Sequence, residues 1–139
     1  MSAHAPGAVR TLLLKNQAVA ALVGESIFGE IDEDQAKLMP ATCIVLKPAG
    51  GPRSPGGGYQ QFGKTRLDVD CYGSTLNESY LVYLAIYDAL KGLTRQVVNG
   101  VLLHNAEVES KGSTARDPFK QWPVTFSSWL IAAAEIPAA

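Results

Sequence analysis

The chain has 139 residues, 47% hydrophobic and 18% charged, with 12 Lys and Arg against 13 Asp and Glu and a formal net charge of −1. That length predicts a single domain over 1–139 with enough interior to fold without disulfides or a metal. The near-neutral balance points away from nucleic acid as the main ligand, and Cys43 and Cys71 form no C-x-x-C or Cys/His cluster of the kind that holds zinc.

Residues 1–7 read as a frayed end. A helix is predicted from about Gly7 to Val23, stopped by Gly24. Val9, Leu12, Leu13, Val19, Ala20 and Val23 share one arc, which Asn16 interrupts, and Leu14, Ala18, Ala21 and Leu22 lie opposite. A helix apolar on two sides is usually buried on two sides, and in a chain this small the second cover can be another subunit. ESIFGEI (25–31) predicts a short strand, and DEDQAKLM before Pro40 a polar loop. ATCIVLK (41–47) is β-branched and apolar, which predicts a strand. PAGGPRSPGGGYQQFG (48–63) holds too much Gly and Pro for a regular element and predicts a long, mobile connection of the kind that is usually functional or disordered. In KTRLDVDCY (64–72), Leu67, Val69 and Cys71 alternate with Arg66, Asp68, Asp70 and Tyr72, so 41–47 and 64–72 are expected to pair antiparallel.

Thr75-Leu76-Asn77-Glu78 is a capping box opening the helix LNESYLVYLAIYDALK, which ends at Gly92. Leu76, Tyr80, Tyr83, Leu84, Tyr87 and Leu90 are expected on one side of it. Asn99-Gly100 between apolar runs predicts a type I′ hairpin with 101–109 as its second arm. SKGSTARDPFKQ (110–121) reads as a polar loop, and WPVTFSSWLIAAA (122–134) as a final strand with Trp122, Val124, Phe126, Ser128 and Leu130 on one face. The expected fold is α+β: a single mostly antiparallel β-sheet with two α-helices packed against it, in the order α-β-β-β-α-β-β-β.

Gly58-x-x-x-x-Gly63-Lys64-Thr65 satisfies the phosphate-binding pattern G-x-x-x-x-G-K-[ST]. A working phosphate loop follows a strand directly and opens a helix; here the period-two pattern after Lys64 predicts a strand, so the match reads as coincidence. Asp68 and Asp70 share a strand face at a spacing that suits a divalent metal or acid/base work, but Arg66 shares that face as a counter-charge and a solvated or interface face is the better reading. His4 and His104 have no nucleophile at a recognisable spacing. No catalytic, cofactor-binding or metal residues are expected, and no cofactor. Mixed charge with an aromatic in TARDPFKQWP suits a protein contact. The N-terminus lacks the pattern of a secretory signal, and no apolar run approaches the ~18–20 residues that span a bilayer, so no membrane partner is expected.

The layout of LLLKNQAVAALVGESIFGEI, MPATCIVLKPAGG, KTRLDVDCYGSTLNESYLVYLAIYDALKGL, VNGVLLHNAEVES and RDPFKQWPVTFSSWLI, over about residues 9–132, resembles the tail terminator (tail completion) proteins of long-tailed phages and phage-derived particles. The resemblance implies a structural virion protein without enzyme activity, made in the host cytoplasm and placed at the tail end. It implies a homo-oligomeric, hexameric ring that caps the major tail tube protein and meets a head-side neck or connector protein, with DNA passing through its lumen without specific binding. Contacts with the tube or a neighbouring subunit are then expected from Arg53, Tyr59, Gln60, Gln61, Phe62, Arg116, Asp117, Phe119 and Lys120, and a lumen face from Asp68 and Asp70. The alternatives are a neck or head-completion connector and, in a different class, a small nucleotide-binding enzyme using 58–65.

Overall fold

A computed structural model describes residues 5–48, 63–118 and 120–135. Its elements are α1 (Ala5–Lys15), α2 (Gln17–Val23), β1 (Ile27–Phe28), α3 (Glu33–Leu38), β2 (Cys43–Pro48), β3 (Gly63–Tyr72), α4 (Leu76–Lys91), β4 (Gln96–Val98), β5 (Val101–Arg116) and β6 (Pro123–Glu135). The strands form one six-stranded sheet in the order β1-β2-β3-β6-β5-β4. Only β1 and β2 run parallel; the other neighbours are antiparallel, including the expected β2–β3 pair, in which Ile44 sits opposite Cys71 and Leu46 opposite Val69. The α+β class and the mostly antiparallel sheet agree with the sequence reading.

The helices differ from it. The expected single first helix is two, because Asn16 leaves the helix with extended backbone and its side-chain oxygen accepts from the Val19 amide at 3.1 Å. An Asn inside an apolar arc is here an N-cap, the position that suits its short acceptor. The helix also starts at Ala5, earlier than expected. The supposed polar loop before Pro40 contains α3, capped by Asp32, whose Oδ1 accepts from the Gln35 amide at 2.8 Å, with Glu33 and Asp34 complementing the dipole of its first turn. The polar run 110–116 continues β5 through several register shifts rather than forming a loop. Its polarity reflects exposure, since the run is half-buried at Gly112 and otherwise open to solvent. Among the described residues there are thus four helices where two were expected.

Two local signals behave as their chemistry requires. The Thr75 hydroxyl accepts from the Glu78 amide at 3.1 Å, while Glu78 reaches past Thr75 to the amide and hydroxyl of Ser74. Asn99 and Gly100 take φ of 52° and 74°, the left-handed pair of a type I′ turn.

The main core lies between one sheet face and the helices. Ile44, Leu46, Leu67, Val69, Leu103, Trp129 and Ile131 meet Val9 and Leu13 of α1, Val19 and Val23 of α2, and Val82, Tyr83, Ile86 and Leu90 of α4. Consecutive residues of α1 reach the two sheet margins: Arg10 Nε donates to the Ile27 carbonyl of β1 at 2.8 Å, and Thr11 Oγ1 accepts from Asn99 in the β4–β5 turn at 2.7 Å. The sheet therefore curls around that helix. On its other face a smaller cluster joins Cys43, Val45, Tyr72 and Val124 to Phe28, Ile31, Met39 and Trp122.

Candidate assembly surface

Helix α4 buries Ser79, Val82, Tyr83, Ile86 and Leu90. This side is rotated from the expected one, and it leaves Leu76 (39% exposed), Tyr80 (42%), Leu81 (45%) and Leu84 (38%) on the outer side of the same helix. At 100° per residue these four fall within one arc. Leu22 of α2, which packs beside α4, is also exposed. A row of rings links this stripe to the core: Tyr80 to Tyr83 at 5.8 Å, Tyr83 to Tyr87 at 6.0 Å, and Tyr87 to Trp129 at 5.8 Å between centroids. Tyr83 lies directly on Gly112 of β5, where a Cβ would stand 2.7 Å from the ring, so only glycine fits beneath it.

The outer sheet face carries ion pairs. Lys47 Nζ of β2 lies 2.9 Å from Asp70 Oδ2 of β3, and Asp70 is buried although it points away from the main core. The segment that forms the smaller cluster covers this end of the face. Burial pushes the Asp70 carboxyl above the ordinary aspartate range, Lys47 opposes the shift, and the nearby charges of Asp68 and Asp117 add to it. Further along, Arg66 Nε lies 3.4 Å from Asp68 Oδ1 and 3.5 Å from Glu109 Oε2, and Ser128 Oγ donates to Asp68 Oδ1 at 2.8 Å. Asp68 and Asp70 thus share a face as expected, each held by a cation. Strand pairing that spacing alone does not reveal adds Lys47, Glu109 and Ser128.

Lys47→Met should cost about 1–3 kcal/mol at neutral pH, since it strands a buried carboxylate. An acid whose folded pKa is raised binds its proton more readily in the folded state, so ionisation destabilises the fold as pH rises. The variant's deficit should accordingly shrink as pH falls towards the 3.8 of an ordinary aspartate. Urea midpoints of both proteins at the two pH values check this; an equal deficit at both would refute it.

Arg116, Asp117 and Lys120 come together in the β5–β6 turn. Asp117 Oδ1 accepts from the Lys120 amide at 2.7 Å, the Asp117 amide donates to the Trp122 carbonyl at 2.8 Å, and Arg116 Nη1 donates to the Gln121 carbonyl at 3.2 Å. These bonds fix the turn's shape, with Arg116 and Lys120 exposed. Phe119, Arg53, Tyr59, Gln60, Gln61 and Phe62 lie outside the described residues. Lys64 and Thr65 belong to β3, opposite Ala132 and Ile131 of β6. A strand stands where a phosphate loop needs a helix N-terminus, which removes the geometric basis for reading 58–65 as a nucleotide site. Burial pushes the Cys43 thiol up to about 11 and the Cys71 thiol well above its usual value, which disfavours the reactive thiolate at both. Among the described residues no group of three or more His, Cys, Asp or Glu is placed to hold a metal ion, and no helix is long and apolar enough to cross a membrane.

A chain of the solved "Virion of native gene transfer agent (GTA) particle" has the same fold, with a TM-score of 0.67 at 15% identity and 93% of each chain covered. No curated protein matches the chain. The family model of the tail completion protein gp17 matches residues 7–131, which takes in nearly all of α1, the whole of α2, α3 and α4, and most of the sheet. The chain belongs to the tail completion protein gp17 family and is a structural protein of the virion tail end.

Proposed function

We propose that copies of this chain, six to a ring, cap the completed tail tube and present their other side to the head-side neck. The observation that carries this reading is the exposed stripe of Leu76, Tyr80, Leu81 and Leu84 on a helix whose opposite side is already in the core. Contiguous apolar surface of this kind marks an interaction site. A closed ring uses two different patches on each subunit. The stripe supplies one. The second draws on the segment with Arg53, Tyr59, Gln60, Gln61 and Phe62, on the turn with Arg116, Asp117 and Lys120, and on Phe119 between them in sequence, which also meet the major tail tube protein. The sheet face that carries Asp68, with the buried Asp70 beside it, lines the lumen, where DNA passes without being bound. The chain acts as a single domain through its surfaces, with no catalytic group and no cofactor. Purified protein added to tail tubes that lack it should place a ring with a central hole at one end of each tube in negative-stain images. Bare tube ends together with a strictly monomeric protein would sink the reading.

A further inference from the structure

On the outer face of β2, β3, β6 and β5, Lys47 and Arg66 are each set against carboxylates. Lys47 is held by Asp70, and Arg66 is held by Asp68 and Glu109. Glu107, opposite Leu130 of β6, adds a further carboxylate on the same face, because Leu130 is itself opposite Arg66. Arg66 is also braced from β6, where its Nη2 donates to Ser128 Oγ at 3.5 Å while the same hydroxyl donates to Asp68. This is a lattice across neighbouring strands rather than a chance surface pair. It leaves Arg66 half-exposed yet flanked by two carboxylates.

We infer that this lattice is a device that keeps Arg66 and Lys47 from gripping double-stranded DNA as the polyanion passes over the face. A cation grips DNA by displacing the ions condensed on a phosphate. To do that Arg66 must first give up two carboxylates, and those carboxylates then stand beside the phosphate and repel it. The inference rests on the ring reading for the passage of DNA, but the masking of Arg66 can be measured in free protein. Removing the two carboxylates should turn a surface that DNA slides past into one that holds it.

The test compares wild type, Asp68→Asn/Glu109→Gln, and the same double variant with Arg66→Ala. Both carboxylates are partly exposed and the amides are isosteric, and matched thermal melts establish that the fold is kept. Fluorescence anisotropy with a labelled duplex at low salt should show at least about tenfold tighter binding for the double variant, fading steeply as salt rises, as counterion release requires. Arg66→Ala should abolish the gain. Affinity equal to wild type, or a gain that survives Arg66→Ala and so reflects net charge alone, overturns the inference. Particles carrying the double variant should also release DNA more slowly; unchanged release would take this face out of the DNA path. Neither arm leaves tube ends bare, so failure here stays distinct from failure of the ring reading.

Discussion

Trp129→Ala should lower the stability of the folded chain by about 3–5 kcal/mol, the range for removing a large buried aromatic. Trp129 is 1% exposed, in a strand flanked on both sides by others. It stands opposite Leu67 of β3 and Val108 of β5, and its ring lies 5.8 Å from Tyr87 of α4. The indole therefore fills the space between three strands and a helix, and packed neighbours collapse only partly into such a gap. Its Nε1 donates to Ser127 Oγ at 3.2 Å, and the same hydroxyl donates to the Val69 carbonyl at 3.4 Å. Alanine thus removes one partner of a buried serine as well as the volume. Domains of this kind have about 5–15 kcal/mol in total, so the variant should lose a large share of its margin. Trp129→Phe, which keeps most of the volume, should recover most of the loss. Urea unfolding of the three proteins measures both effects, and a Trp129→Ala midpoint within error of wild type would contradict the packing described.

The same residue shows what the sequence makes legible. Period-two alternation in 122–134 separates Trp122, Val124, Phe126, Ser128 and Leu130 from Thr125, Ser127, Trp129 and Ile131. It does not say which set is the core when each holds an aromatic. The core set contains Thr125 and Ser127, which look like surface residues until their partners are known: Thr125 Oγ1 is bonded to Ser79 of α4 at 3.0 Å and to Thr114 of β5 at 2.9 Å. Those partners lie 46 and 11 residues away in the chain, beyond the reach of a local pattern. Short-range chemistry reads well by contrast. The Thr75 cap, the Asn99-Gly100 turn and the β2–β3 pairing depend on neighbours or on simple alternation. Asn16 and α3 escape for an intermediate reason. A capping Asn looks like a flaw inside a long apolar arc, and a six-residue helix of mostly polar side chains looks like a loop. The assembly surface is legible only in outline. An excess of apolar helix surface is visible, but which side of α4 stays outside depends on how α2 and β5 press against it.

That exposed side carries the largest expected functional effect. Leu81→Glu/Leu84→Glu should cost the isolated fold about 1–3 kcal/mol, because part of each side chain is already covered within the subunit, and leave it folded within a margin of about 5–15 kcal/mol. Glu is close to Leu in helix propensity, so α4 should persist. Tail completion should fall by on the order of 100-fold or more. Full burial of a leucine is worth roughly 1.5–3 kcal/mol, and these two leucines leave 45% and 38% of their surface to be covered by a neighbour. The variant loses that gain and also places two carboxylates against an apolar partner, where an unpaired charge costs several kcal/mol. In the proposed ring the fault repeats at every subunit contact, so weak residual pairing does not rescue it. Urea unfolding and tail completion, measured on the same preparation, separate assembly from folding. Asp34→Ala/Lys37→Ala, on two exposed side chains of α3 that belong to none of the proposed contact surfaces, serves as a comparison of equal mutational burden. Normal completion by the double glutamate variant would show that the α4 stripe is not a subunit contact. The proposed ring would then have to draw on segment 48–63 and the β5–β6 turn alone.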